Sequence, residues 1–187
     1  MSQTRVLVLV GSLRAASVNR QLAETAVHGA PEGAEVVIYE GLGDVPFYNE
    51  DADNGDVAPA VAALRAAAGE ADALLLVTPE YNGTIPAVLK NAIDWISRPY
   101  GAGAIKSKPV AVVSASPSGN AAKWAHEDTR KAVRIAGGEV LEDVSISIGG
   151  TIDKFGDKHP KENAEIAAQV GAVVAGLVAA VGELVNA

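Results

Sequence analysis

The sequence predicts an α/β fold: an open, doubly wound sheet of five parallel strands in the order 2-1-3-4-5, with helices on both faces. Short apolar runs alternate with helix-period segments along the whole 187-residue chain. Most of those runs are continuous in Val, Ile or Leu, as in parallel strands buried on both faces. Strict strand–helix alternation with right-handed crossovers favours the doubly wound arrangement. With five strands, strands 1 and 3 straddle the switch point, and ligands bind outside the carboxyl ends of the strands there.

Taken in order, the first strand is Val6-Leu7-Val8-Leu9-Val10, and Leu22, Ala23, Ala26, Val27 and Ala30 make the stripe of the first helix. Residues 36–39 form the second strand, and Val57, Val61, Leu64 and Ala68 mark the second helix. The third strand covers 74–77; Leu89, Ile93 and Ile96 mark the helix after it, with Pro86 in its first turn. Lys90 and Asp94 on that helix are spaced for an ion pair. Strand four covers 110–113, and the next helix, 121–136, is stopped by Gly137-Gly138. Val144, Ile146 and Ile148 alternate with Ser145 and Ser147, the pattern of a half-exposed edge strand. A final helix covers 164–185. Without internal repeats or a shift of composition, residues 1–187 read as one domain.

Composition narrows the chemistry. A net charge of -8 argues against a general nucleic-acid binder. The absence of cysteine removes disulfides, thiol catalysis and thiolate metal sites. His28, His126 and His159 have no metal-ligand spacing and read as surface or loop residues, so no metal is expected. Any redox chemistry must then come from a bound organic cofactor. The first apolar run is too short for a signal peptide, and Gln169 interrupts the apolar C-terminal segment, which reads as a helix on the sheet. The expectation is a cytoplasmic protein without a membrane partner.

Three loops carry the candidate chemistry. After strand 1, Gly11-Ser12-Leu13-Arg14-Ala15-Ala16-Ser17-Val18-Asn19-Arg20 leads into a helix whose amino terminus suits a phosphate. Ser12, Ser17 and Asn19 add short polar groups and Arg14 a charge-assisted donor; Ser17 or Asn19 also caps the helix. Neither the Walker spacing nor the dinucleotide glycine fingerprint is present, which disfavours a nucleoside triphosphate or a Rossmann-type dinucleotide. After strand 3, Thr78-Pro79-Glu80-Tyr81-Asn82-Gly83-Thr84-Ile85-Pro86 displays an aromatic and an amide, with Gly83 free to take a positive φ or approach a flat ring. After strand 4, Ser116 is the best-placed residue of Ser114-Ala115-Ser116-Pro117-Ser118-Gly119-Asn120.

The stretch 11–20 together with PEYNGTIPAVLKNAIDWISRP, residues 79–99, resembles the NADPH-dependent FMN reductase family, which includes quinone and chromate reductases. The resemblance implies a flavodoxin-like fold and FMN. It places the phosphate on Ser12, Arg14, Ser17 and Asn19 and the isoalloxazine on Pro79, Glu80, Tyr81, Asn82 and Gly83; Val18 and Ser116 complete the expected cofactor-binding residues. NADPH or NADH would give two electrons as hydride, and a quinone-like acceptor would take them in a ping-pong cycle. No side chain is an assured catalytic group; Tyr81 is the nearest candidate proton donor. The family also implies a homodimer or homotetramer paired through the helix holding Asp94, Trp95 and Arg98. Where relatives have a glycine-rich stretch after strand 4, this chain has Ser118-Gly119-Asn120-Ala121-Ala122-Lys123-Trp124. The alternative function is an electron-carrier flavodoxin without significant NAD(P)H turnover.

Overall fold

The computed structural model describes residues 3–186. Five strands, β1 Thr4–Val10, β2 Ala34–Ile38, β3 Ala73–Thr78, β4 Pro109–Ala115 and β5 Glu139–Ile148, form one parallel sheet in the order β2-β1-β3-β4-β5. Between and after them run α1 Val18–His28, α2 Pro59–Glu70, α3 Ala87–Ile96, α4 Lys123–Ala136, α5 Thr151–Phe155 and α6 Ala164–Asn186. The sequence expectation of order and parallel pairing holds.

Each central strand sends alternate residues to opposite faces, and both faces are covered. Val6, Val8 and Val10 of β1 join Leu75 and Val77 of β3 under α1 and α6. Leu7 and Leu9 join Leu74 and Leu76 beneath α2, α3 and α4. That is why these runs are apolar throughout. Leu89, Ile93 and Ile96 of α3 are buried at the expected spacing, and Lys90 Nζ lies 2.6 Å from Asp94.

Several local expectations need correction. Helix α1 ends at His28, so Ala30 lies beyond it, and Val57 precedes α2. The edge strand begins five residues earlier than the serine alternation suggested. Its pairing runs Val110↔Val140 and then Val112↔Ser145, an irregularity that absorbs the extra residues. Helix α4 begins at Lys123, because Ala121 (φ 57°) and Ala122 (φ 56°) are left-handed. Gly137 (φ 94°) ends it as expected.

Trp95 is a core residue, 1% exposed. Its indole N–H donates to the Pro46 carbonyl at 2.7 Å, Tyr48 meets it edge-on at 4.9 Å, and the Arg65 guanidinium lies 5.3 Å from its ring centre. It therefore presents no surface for pairing, while Asp94 and Arg98 stay partly exposed. Nor is His126 a surface residue. It is buried with Thr129 and Val133 on the inner face of α4. His159 caps a short turn, its Nδ1 accepting the Lys161 N–H, and its Nε2 lies 3.0 Å from Glu24.

Helix α6 is long and apolar enough to cross a bilayer by length and composition, with a mean hydropathy of 1.9. Its inner stripe, Val170, Val174 and Leu177, packs into the core beside α1 and β5.

A close approach fixes the turn after α3. A methyl group at Gly103 would come within 2.3 Å of the Ser97 carbonyl carbon and 2.5 Å of the Ile96 oxygen. These are backbone atoms and cannot swing aside, so Gly103→Ala is expected to cost about 3 kcal/mol in urea unfolding.

Candidate functional site

The loops at the carboxyl ends of the strands are tied together by backbone hydrogen bonds. The Gly11 N–H donates to Val77 O at 2.8 Å, Ser116 N–H to Ile148 O at 3.0 Å, and Thr151 N–H to Ser116 O at 3.4 Å. They enclose a cleft of about 440 Å³. Ser12, Arg14, Ser17, Val18 and Asn19 line it from the β1 loop, Pro79, Glu80 and Tyr81 from the β3 loop, and Ser116 from the β4 loop. The topology thus brings those expected residues to one place.

At the floor, Ser17 caps α1, its Oγ accepting the Asn19 N–H at 3.2 Å. The N–H groups of the first turn of α1 face the cleft end with the positive end of the helix dipole. The Arg14 guanidinium is exposed and has no hydrogen bond or ion pair among the described residues. Arg20, in the first turn of α1, is engaged. It grips both Glu40 oxygens at 2.5 and 2.6 Å and Glu24 at 3.1 Å, and the Glu40 fork raises its pKa and lowers that of Glu40. Arg14 is therefore the cation on this wall with no competing partner.

Asn19 is 4% exposed, and its Nδ2 donates to the Ala115 carbonyl at 3.1 Å, joining the β1 and β4 loops. Its Oδ1 is buried without a hydrogen-bond partner among the described residues. Such an orphan acceptor in a cleft wall calls for a ligand donor.

On the opposite wall, Tyr81 Oη lies 3.5 Å from Ser12 Oγ. Tyr81 and Thr84 bond each other's backbone at 3.2 Å, closing a two-residue turn with Asn82 at φ 53° and Gly83 at φ 76°. Asn82 and Gly83 form the tip of this hairpin and do not line the cleft. Glu80 lines it, but its carboxylate serves α4. Oε2 accepts the N–H of Trp124 at 3.0 Å and of Ala125 at 3.2 Å, while Ala122 offers no side-chain cap. Glu80→Ala is expected to lower stability by about 1–2 kcal/mol, read as a lower urea midpoint.

Thr151 and Ile152 also line the cleft and were not anticipated, nor were Ala16, Ala115 and Pro117. The signal for the first pair was Gly149-Gly150 directly after β5, which turns the chain back over the mouth.

A doubly wound sheet of this order, with an anion-suited helix terminus and a free arginine at its switch point, defines a flavodoxin-like mononucleotide-binding protein. The sequence profile described as NADPH-dependent FMN reductase matches residues 4–153, and the chain belongs to that family. A protein named quinone reductase from Pseudomonas putida is 40% identical over 158 residues, 84% of each chain. A 2-hydroxy-1,4-benzoquinone reductase from a Burkholderia species is 41% identical over 112 residues, 60% of each. Among solved structures, FerB, a flavoenzyme NAD(P)H:(acceptor) oxidoreductase from Paracoccus denitrificans, superposes with a TM-score of 0.80 at 31% identity, covering 93% of this chain and 97% of its own.

The protein is thus an NAD(P)H-dependent oxidoreductase with FMN as cofactor. The cleft's chemistry fits that group. Arg14 and the α1 terminus suit a phosphate dianion, and the unpartnered Asn19 Oδ1 suits a ribityl hydroxyl. These relatives do not favour the electron-carrier alternative.

Proposed function

We propose that residues 1–187 act as one FMN-binding domain that passes hydride from NADPH or NADH to quinone-like acceptors in a ping-pong cycle. The observation that carries this reading is the unpaired Arg14 beside the capped terminus of α1, in a cleft whose other wall presents Tyr81. The relatives named quinone reductases support the acceptor class.

Bound there, FMN would accept two electrons from the nicotinamide and release them to the acceptor. The protein's residues hold and orient. Ser12, Arg14, Ser17 and Val18 take the phosphate end, Asn19 Oδ1 serves the ribityl chain, and Pro79, Glu80 and Tyr81 frame the ring end, with Asn82 and Gly83 shaping the hairpin tip behind Tyr81. Ser116 contributes from the third loop. Tyr81, partly exposed, orients the ligand through its ring, and its hydroxyl is expected to be dispensable as a proton donor. Tyr81→Phe is expected to keep kcat within about fivefold, since one neutral hydrogen bond is worth about 1 kcal/mol or less here. A loss of a hundredfold would make Tyr81 the acid.

We further propose a homodimer or homotetramer in the cytoplasm, with no nucleic-acid or membrane partner. Light scattering at micromolar concentration should give two or four chain masses.

The decisive experiment loads the protein with FMN, removes the excess, and adds NADPH without oxygen. The expected result is a retained yellow colour that bleaches quickly and returns when a quinone is added. Retained colour that NADPH cannot bleach would mean an electron carrier instead.

A further inference from the structure

We propose that Trp124 is the outer wall of the acceptor's binding place, where the free face of its indole stacks a flat aromatic acceptor. The inference rests on the quinone-reductase reading and adds to it a residue that sets acceptor preference.

The chain has two tryptophans, and they are treated oppositely. Trp95 is sealed in the core, whereas Trp124 is 62% exposed. A large amphipathic ring left in water on a fixed backbone is a binding surface in waiting, because few side chains gain more from being covered. The backbone here is fixed twice. Glu80 holds the Trp124 N–H at 3.0 Å, and Ala121 and Ala122, just before the helix that carries it, are buried in the left-handed conformation.

The ring itself is also seated. It lies against the backbone of Gly83, where a methyl group would stand 3.5 Å from its Cε3. The Cε3–Cζ3 edge of the indole therefore lies at the hairpin tip, while most of the side chain stays exposed. The hairpin links it to the cleft: Tyr81 at one end lines the cleft and is 48% exposed, while Gly83 at the tip supports Trp124. Glu80 spans the same distance, lining the cleft with one part and gripping the first turn of α4 with another. Tyr81 and Trp124 thus flank one hairpin, an aromatic edge beside a cleft lined with Ser12, Arg14, Ser17 and Asn19. Neither presents a charge, so this edge selects a neutral flat ring over a compact anion.

The test compares two acceptors on the FMN-loaded enzyme, 1,4-naphthoquinone, which has stacking area, and ferricyanide, which has none. In Trp124→Ala the KM for naphthoquinone is expected to rise about five- to tenfold, with kcat and the ferricyanide KM within twofold. Trp124→Phe, which keeps a ring, should recover most of the naphthoquinone KM. Flavin content and chain mass are measured in each variant. An equal rise for both acceptors, or no rise for naphthoquinone, overturns the proposal. So does a change of oligomeric mass without a change in the KM ratio, which would assign the indole to self-association. If Trp124→Ala does not fold, the wild-type fluorescence decides, compared with Trp124→Phe. Saturable quenching of the exposed indole by naphthoquinone supports the proposal, and only linear, collisional quenching overturns it. Failure of the underlying reading shows separately, as wild-type enzyme that oxidises NADPH with neither acceptor.

Discussion

Taking the protein from pH 7 to about pH 4 is expected to remove up to about 3 kcal/mol of stability through His126 alone. Burial is the main cause of its lowered pKa, about 4, and the nearby Arg130 charge adds to it against the opposing Glu127. An unfolded histidine takes its proton near 6.5, the folded one near 4. Between those values the unfolded chain binds more protons, so acid favours unfolding there, and the effect levels off below about 4. The stabilised carboxylates Glu24, Glu40 and Asp53 have folded pKa values lowered below the ordinary 4.5 or 3.8. Their contribution is lost only as pH falls below those ordinary values, which leaves the window from 6.5 to 4.5 to His126. Urea midpoints measured at half-unit steps should therefore slope through that window in the wild type and run nearly flat in His126→Asn.

The same protonation should be felt at the flavin cleft. Nδ1 of His126 lies 3.1 Å from Ser114 Oγ and 3.3 Å from Ser147 Oγ, and Ser114 Oγ also donates to the Ala121 carbonyl at 3.1 Å. This buried cluster joins β4, β5 and the turn into α4, directly beneath the loop that brings Ser116 to the cleft. A charge there disturbs the anchor of that loop. FMN retention should decline across the same pH window and do so less in His126→Asn.

His126 also shows where a sequence is and is not readable. Its spacing with Thr129 and Val133, three and seven residues on, is that of a buried helix face, so the signal was present and the isolated residue type obscured it. The central strands were legible because both faces are buried, and residue type alone then marks them. The early part of β5 was not. Its register is set by where β4 offers partners, and the irregularity between Val110 and Val112 follows no local rule.

Within the site, loops were legible by topology, since the strand order dictates which of them meet. Side-chain partnerships were not. Nothing near Glu80 in sequence announces that its carboxylate caps a helix more than forty residues on. The left-handed alanines follow from the same tertiary demand. Alanine has no local preference for positive φ, and Ala122 holds it while fully buried, so packing and the Glu80 cap impose a conformation that propensity opposes.

Arg14→Ala is expected to weaken FMN binding by about 10- to 100-fold, the loss of one charge-assisted contact to phosphate worth about 1.5–3 kcal/mol. No neighbour can take over, because both sides of the Arg20 guanidinium are committed to Glu24 and Glu40. Arg14→Lys should recover the charge but not the fork, giving an intermediate affinity. The fold should not notice either change, since Arg14 is exposed and its guanidinium has no partner among the described residues; urea midpoints of the flavin-free variants should match the wild type within about 0.5 kcal/mol. Riboflavin makes the attribution specific. It keeps the ring and ribityl chain but lacks the phosphate, so its dissociation constant should be the same in wild type and Arg14→Ala, while that of FMN moves. Equal weakening of both flavins would place Arg14 beside the ring rather than at the phosphate. Unchanged FMN affinity would leave the α1 terminus to hold the phosphate alone, through Ser17 and the N–H groups of its first turn.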